Sequence, residues 1–144
     1  MIAATIAAPK RQYHMQQDII PRLHTIFVYG TLMKGYGNHT ILMGAEFVGP
    51  AVTEPRFTML NLGAFPGVVV CGDTSITGEI YRVNKRMLRQ LDELEGHPDF
   101  YRRRSIGMVF VRGLGREEMA EAYVLPKTWL DSCRIITSGD WRQR

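Results

Sequence analysis

Seven short segments rich in β-forming residues, with one substantial helical pattern among them, constrain the fold of this chain most strongly. Glycine, proline, asparagine and aspartate punctuate the segments, as they do between short strands. The last two segments carry apolar residues on both faces in part, which is typical of a closed or well-covered sheet. The predicted strands are residues 26–29, 45–53, 56–62, 67–71, 76–83, 101–111 and 118–125. This pattern predicts an α+β fold, a small mixed β-barrel with flanking helices.

The 144 residues suffice for one domain with a single core and are too few for two ordinary domains. We assign residues 25–144 to a single domain and residues 1–24 to an N-terminal extension that we expect to be poorly ordered. Within that extension, residues 13–20 could form a short helix that Pro21 ends. Four large apolar residues near the C-terminus are expected to pack back over the barrel or sheet: Trp129, Ile135, Ile136 and Trp141.

Charge and hydropathy argue against two classes of partner. The net charge of +4 is too mild to indicate nucleic-acid binding. Arg102, Arg103 and Arg104 would alternate between two faces of a strand, although the face with Arg102 and Arg104 could offer one arginine to an acidic ligand. No run reaches the roughly 18 apolar residues of a membrane span. Lys10 and Arg11 follow the apolar N-terminus, which is the wrong order for a secretory signal. We therefore expect neither a nucleic-acid nor a membrane partner.

The cysteines and histidines predict neither a metal site nor a covalent nucleophile. None of the four histidines lies at ligand spacing from another or from a cysteine: His14, His24, His39 and His97. His39 and His97 are expected to be polar loop residues, although either could line a pocket. Cys71 and Cys133 form no CxxC pair and lie in apolar surroundings, so we expect buried packing cysteines in a reducing, cytoplasmic setting.

The helical pattern after Asn84 has a start and a stop signal. Asn84 is a suitable N-cap for a helix over residues 85–94, and Gly96 is a suitable terminator. At about 100° per residue, one apolar stripe about 120° wide collects four side chains. They are Met87, Leu88, Leu91 and Leu94. This stripe is expected to face the core.

One acidic residue, Glu95, falls inside that stripe, about 20° from Leu88 on the helical wheel. Asp92 lies on the flank of the stripe, and Glu93 points away from it. A buried carboxylate without a partner has a raised pKa, and the negative end of a helix raises it further. Such a glutamate can carry a proton near neutral pH. The alternative, equally weighted on this pattern alone, is that Gly96 loosens the turn and the side chain swings out to water.

A glycine-rich loop follows the first predicted strand, with a short helix expected near residues 38–43. Gly30, Gly35 and Gly37 lie within eight residues, which indicates close backbone approach. The loop lacks the Gly-Lys-Ser/Thr ending of a P-loop and the third glycine of a dinucleotide fingerprint. Its exposed backbone N–H groups could still bind a carboxylate or an oxyanion. The alternative is a tight structural turn without a ligand.

Taken together, these two stretches resemble the signatures of the gamma-glutamylcyclotransferase-like superfamily. FVYGTL at residues 27–32, followed by Gly35 and Asn38-His39, is similar to its tyrosine–glycine–serine/threonine–leucine loop. LDxxExxPxxYxR at residues 91–103 is similar to its second signature. GEIY at residues 78–81, with the spacing to the helix, resembles the gamma-glutamylamine cyclotransferase branch. The resemblance covers about residues 26–111 and could extend to Leu125.

The resemblance implies a mixed barrel with a pocket at one end, in which the loop backbone holds a glutamyl group and Glu95 is the catalytic acid/base. The implied substrate-binding residues are Tyr29, Gly30, Thr31, Leu32, Pro66, Gly67 and Tyr101. The implied reaction is attack of the substrate's α-amine on its own γ-carbonyl. It releases 5-oxoproline and a free amine or amino acid, and it needs no cofactor because the nucleophile is part of the substrate.

Two other functions stay open on the sequence. A non-catalytic member of the same fold could bind a small acidic metabolite or a protein partner, because fold does not determine activity. An N-terminal extension that covers the pocket would favour this reading. Nucleic-acid binding is the weaker alternative, since it rests on the mild charge and residues 102–104 alone. No pattern indicates the leaving amine or the oligomeric state.

Overall fold

A computed structural model describes residues 22–144, and eight strands run through this part of the chain. They are β1 (His24–Val28), β2 (Glu46–Thr53), β3 (Phe57–Asn61), β4 (Pro66–Thr74), β5 (Thr77–Val83), β6 (Arg102–Val111), β7 (Arg116–Val124) and β8 (Arg134–Ile135). The α-helix α1 (Lys85–Glu95) lies between β5 and β6. Short 3₁₀ helices lie at Gly37–Leu42, Lys127–Asp131 and Trp141–Gln143. The helix expected over residues 13–20 lies outside the described residues, as does the extension up to residue 21.

A closed barrel and a small sheet share the core. The barrel order is β1, β5, β2, β6, β7 and back to β1. Its neighbouring strands are antiparallel except β1 and β7, which pair in parallel at Ile26 and Glu121. Strands β4, β3 and β8 form the three-stranded sheet, and Val69 of β4 bridges to Leu125 beyond β7. The predicted fold class, an α+β protein built on a small mixed barrel, is confirmed.

All seven predicted strands are present, and β4 shows why one boundary was misplaced. The prediction ended this strand at Cys71 because Gly72 reads as a terminator, yet the strand continues to Thr74. Gly72 instead allows a bulge: its φ is +134°, and a Cβ there would lie 2.6 Å from the carbonyl oxygen of Phe57. The expectation that Cys71 is buried is wrong, because this end of β4 projects past the core.

The C-terminal segment covers one end of the core. Trp141 and Ile136 are buried, and Trp129 is half-buried against the ring of Phe100. Ile135 was expected to pack in the same way, but its side chain is exposed. Successive side chains of an extended segment point to opposite faces, so only one of the two isoleucines can be buried. No helix within residues 22–144 is long and apolar enough to cross a membrane.

Helix α1 has the caps that its sequence predicts. The Asn84 side chain accepts a hydrogen bond from the backbone N–H of Met87 at 2.8 Å. At the other end, Gly96 adopts φ 65° and its N–H donates to the last-turn carbonyls. Leu88 and Leu91 are buried against the barrel, as expected. Leu94 is 44% exposed, so its predicted place in the core is wrong: the last turn overhangs a cavity instead of the barrel wall.

Candidate active site

A cavity of about 300 Å³ opens where the end of β1, the start of β4 and the last turn of α1 meet. Seven of the eight predicted site residues line it: Tyr29, Gly30, Thr31, Leu32, Pro66, Glu95 and Tyr101. Gly67 is the exception. It lies behind the wall, where a Cβ would overlap the side chain of Leu125. The structure thus brings the glycine loop and the helix end, 63 residues apart between Leu32 and Glu95, to one space.

The loop after β1 is fixed by side chains while its own donors stay available. Within residues 22–144, the backbone N–H groups of Gly30, Thr31 and Leu32 donate to no protein acceptor. Asn38 donates to the Thr31 hydroxyl at 2.9 Å. His39 Nδ1 lies 2.9 Å from the Leu32 carbonyl oxygen, and because a carbonyl only accepts, Nδ1 carries the proton. Consecutive unsatisfied N–H groups of this kind suit a carboxylate or an oxyanion.

Glu95, at the end of α1, also lines this cavity and is half-buried. Burial raises the pKa of its carboxyl from an ordinary 4.5 to about 7. The sequence left open whether Gly96 lets this side chain swing out to water, and the structure places it in the cavity wall. A carboxyl with a pKa near neutrality can both take and return a proton at physiological pH.

Three tyrosines surround this carboxyl, and each hydroxyl proton already has a fixed acceptor. Tyr29 donates to the Tyr123 carbonyl oxygen, Tyr101 to the Pro66 carbonyl oxygen and Tyr123 to Asp92 Oδ1, each at 2.6 Å. Burial raises the pKa of all three hydroxyls, and the nearby charge of Glu95 adds to the increase. The tyrosines therefore stay neutral, and their oxygens can only accept further hydrogen bonds.

Residues 26–143 match the family described as gamma-glutamyl cyclotransferase, AIG2-like. The chain belongs to this family. The resemblance on the two signatures is thereby confirmed, and the match extends it from residue 111 to residue 143.

Relatives of this cyclotransferase-family chain include both close and structurally characterised proteins. A Vibrio cholerae protein that is named as a gamma-glutamylcyclotransferase on assumed activity is 42% identical to this chain over 122 residues. The alignment covers 84% of this chain and 97% of that protein. Zebrafish gamma-glutamylaminecyclotransferase B is 37% identical over 112 residues, 72% of this chain but 59% of its own length. The crystal structure of a mouse AIG2-like protein superposes with a TM-score of 0.68 at 31% identity, covering 76% of this chain and 83% of the mouse chain.

Sequence reasoning missed several walls of the cavity in this cyclotransferase-family fold. Tyr123 comes from β7 and reaches the site only because the barrel closes β7 onto β1. Phe65 and Phe100 form an apolar rim with their rings 6.3 Å apart. The remaining missed lining residues are Phe27, Val28, Asn38, Glu93, Leu94 and Gly96. Most of these missed residues lie within the stretches that carried the resemblance, residues 27–39 and 91–103, and Phe65 directly precedes the predicted Pro66. Tyr123 had no such signal.

Asp92 ties the helix to the barrel directly behind Tyr123. Its Oδ1 accepts from Arg103 Nε at 2.9 Å as well as from the Tyr123 hydroxyl, and Arg103 also pairs with Glu121 at 2.8 Å. Burial opposes ionisation of Asp92, but the hydrogen bonds from Arg103 and Tyr123 outweigh it and lower its pKa. Arg103 is therefore the arginine nearest to the site among these three. Arg102 and Arg104, which were considered as partners for an acidic ligand, are exposed.

Asp92→Ala is expected to destabilise the fold by about 2 kcal/mol, because it leaves the Arg103 guanidinium and the Tyr123 hydroxyl without their acceptor. Urea unfolding at pH 7 measures the change. Since the pKa of Asp92 is lowered from 3.8, its contribution is present above pH 3.8 and is lost as the pH falls below that value. Asp99→Asn, an exposed carboxylate beyond the helix, is the control and should change stability by under about 0.5 kcal/mol. Equal effects of the two variants would contradict the assignment.

The charge of the cavity limits what it can bind. Among residues 22–144, the charged lining residues are Glu93 and Glu95, and no lysine, arginine or histidine of this part of the chain lines the cavity. In the part of the chain that the structure describes, no group of three or more His, Cys, Asp or Glu side chains is arranged to hold a metal ion. The donors that the lining residues offer to an anionic group are therefore the backbone N–H groups of residues 30–32 and the side chains of Thr31 and Asn38, all in or beside the loop.

Proposed function

We propose that this chain catalyses gamma-glutamyl cyclotransfer: it converts a gamma-glutamyl amine into 5-oxoproline and a free amine or amino acid. One observation carries the proposal. Glu95, whose pKa burial raises to about 7, faces the same cavity as the three unsatisfied N–H groups of residues 30–32. A proton carrier opposite oxyanion donors is the arrangement that an intramolecular acyl transfer requires.

The first step closes the ring. The α-amine of the substrate must lose a proton before it attacks, and Glu95 accepts that proton as general base. The amine nitrogen then bonds to the γ-carbonyl carbon, and the γ-carbonyl π electrons move to its oxygen. The N–H groups of Gly30, Thr31 and Leu32 stabilise the resulting oxyanion. The oxygens of Tyr29 and Tyr101 can only accept, so they suit the amine rather than the oxyanion.

The second step expels the leaving amine. Glu95, now protonated, donates its proton to the leaving nitrogen as the bond from that nitrogen to the γ-carbon breaks. The oxyanion collapses to the lactam carbonyl of 5-oxoproline. The ionised Glu95 then takes the second proton of the ring nitrogen and passes it to the freed amine, which leaves as its ammonium, so Glu95 returns to its starting state. No cofactor enters, because the nucleophile is held within the substrate and the enzyme needs only to fold it and to move protons from the attacking nitrogen to the leaving nitrogen.

The cavity suits a γ-glutamyl group with its leaving group at the rim. A volume of about 300 Å³ lies at the small end of ligand pockets. Phe65, Leu94 and Phe100 are partly exposed at the mouth, so the leaving group meets an apolar surface rather than a charged one. Glu93 is the one charge beside them among the lining residues. This surface favours leaving amines with an alkyl part, in keeping with the name of the zebrafish relative.

Incubation with γ-glutamyl-ε-lysine, γ-glutamyl alkylamines and γ-glutamyl amino acids tests the proposal. We expect release of 5-oxoproline, detected by mass spectrometry or chromatography, with the highest kcat/KM on substrates whose leaving amine carries an alkyl chain. α-Glutamyl analogues serve as the matched control and should release no amine, because their γ-carboxylate carries no leaving amine and the α-amine cannot close a stable ring on the α-carbonyl. No 5-oxoproline from any γ-glutamyl compound would reject the proposal. Binding of 5-oxoproline without turnover would favour the non-catalytic alternative.

A further inference from the structure

A buried carboxylate contacts the end of the binding loop and lies outside the lining of the cavity. Glu79 of β5 is 6% exposed and does not line the cavity. Its Oε1 accepts a hydrogen bond from the backbone N–H of Lys34 at 2.9 Å and another from the Tyr81 hydroxyl at 3.2 Å. Among residues 22–144, no lysine, arginine or histidine forms an ion pair with it.

An unpaired buried charge is costly, so its hydrogen bonds identify its role. The Lys34 ammonium does not neutralise Glu79, because it lies 3.5 Å above the ring of Phe47. Only the backbone of Lys34 is engaged. The contact therefore holds the chain at Lys34 rather than the side chain.

Lys34 is the residue at which the binding loop ends. The Met33 N–H donates to the Gly30 carbonyl oxygen at 3.0 Å and closes a turn over residues 30–33. The Glu79 contact follows immediately and joins that turn to β5, whose Glu79 pairs with Val28 at the end of β1. Both ends of the loop are thereby fixed to the same two strands, with residues 30–32 between them.

We propose that Glu79 is a positioning residue that acts through the binding loop: its reach to the Lys34 N–H holds the N–H groups of residues 30–32 towards the substrate. The expected effect on kcat rests on the proposed cyclotransferase function. The expected effect of Glu79 on the conformation of the loop does not. Glu79 touches neither substrate nor reacting atoms. For this role the length of the Glu79 side chain matters more than its charge.

Two conservative variants separate reach from charge. Glu79→Gln keeps the side-chain length and an acceptor oxygen but removes the charge. In this variant the amide NH₂ can occupy the position of Oε2. Among the described residues Oε2 has no protein partner, and it does not belong to any fully buried side-chain group that lacks a hydrogen bond. Glu79→Asp keeps the charge but shortens the side chain by one methylene. We expect Glu79→Asp to lower kcat about tenfold or more, with a smaller change in KM, and Glu79→Gln to stay within about threefold of the wild type.

Amide hydrogen exchange of the intact chain supplies a readout that does not depend on turnover. We expect faster exchange at Lys34 in Glu79→Asp, and wild-type exchange in Glu79→Gln. Glu118→Gln is the matched control: Arg82 and Arg116 lower the pKa of Glu118 to about 2, so its loss costs stability, but it lies away from the loop. It should leave both loop exchange and kcat unchanged.

Equal kcat in the aspartate and wild-type proteins would overturn the proposal, as would a glutamine variant as impaired as the aspartate one. If Glu79→Asp does not fold, the folded glutamine variant decides alone: near-wild-type exchange and kcat support the proposal, and their loss overturns it. If the wild type turns over no γ-glutamyl compound, the cyclotransferase function fails. The exchange at Lys34 then still decides whether Glu79 holds the loop.

Discussion

Glu95→Gln is expected to lower the kcat for 5-oxoproline formation by about 10²- to 10⁴-fold, the usual contribution of a positioned general acid/base. Glutamine keeps the volume and hydrogen-bonding capacity of the side chain but can neither take a proton from the substrate amine nor give one to the leaving amine. Because the N–H groups of residues 30–32 are untouched, KM should change only a few-fold. Steady-state kinetics on the best γ-glutamyl substrate measures both constants, with Asp99→Asn as an exposed carboxylate control that keeps wild-type kcat.

The pH dependence of the wild type tests the same assignment from another side. A general base must be ionised in the free enzyme, and the pKa of Glu95 is raised to about 7. We therefore expect kcat/KM to rise with pH through about 7, and the residual activity of Glu95→Gln to lack that limb. A variant that kept the same limb would show that another group carries the proton.

The raised pKa also separates loss of catalysis from loss of folding. The folded state holds the Glu95 proton more tightly than the unfolded state, whose carboxyl has an ordinary pKa of 4.5. Ionised Glu95 thus costs stability fully above pH 7, and the cost fades as the pH falls towards 4.5. Glu95→Gln should be more stable than the wild type at pH 8 by roughly 1–3 kcal/mol and no more stable at pH 4.5. An inactive variant that is also less stable at pH 8 would point to misfolding.

Local features of this fold could be predicted because local signals determine them. The Asn84 cap and the Gly96 terminator are set by neighbouring backbone groups, so the bounds of α1 agree with the prediction to one residue. Gly30 and Glu95 could be singled out as candidates for a similar reason: each lies at the end of a regular element, where a glycine or an inward-facing acid stands out. Their meeting in one cavity was implied by the family resemblance, not by either pattern alone.

Features that depend on long-range closure could not be predicted. The parallel contact between β1 and β7 joins residues almost a hundred positions apart and has no local signal, yet it brings Tyr123 to the cavity. Leu94 shows the same limit. A helical wheel assigns it to the apolar face, but only the barrel beneath α1 decides where that face leaves the core and overhangs the site. Burial depends on which elements pack against a residue, and a helical periodicity carries no information about those elements.

Gly30→Ala is expected to lower kcat/KM by about 10²-fold, the effect of displacing catalytic donors by roughly 1 Å. A Cβ at this position would lie 2.7 Å from Pro66 Cγ and 2.8 Å from Pro66 Cδ, closer than real Cβ atoms approach. The obstacle is steric, because Gly30 is not among the glycines with positive φ. The proline ring cannot flex away, and its carbonyl oxygen is held by the Tyr101 hydroxyl at 2.6 Å. The loop must therefore move, and its N–H groups move with it.

Gly37→Ala is the matched control for this substitution, because it adds the same methyl group seven residues later in the same glycine-rich segment. A Cβ at Gly37 would meet no atom within 4 Å, and its φ is not in the left-handed range. Urea unfolding should show that Gly30→Ala is destabilised by about 1–3 kcal/mol. Steady-state kinetics should give wild-type kcat/KM for Gly37→Ala. For Gly30→Ala, kcat/KM should remain lowered after correction for the fraction of the variant that is folded in the assay. Equal kcat/KM in the two variants would mean that the backbone of residues 30–32 does not bind the oxyanion. The proton transfer by Glu95 would then have to act without it.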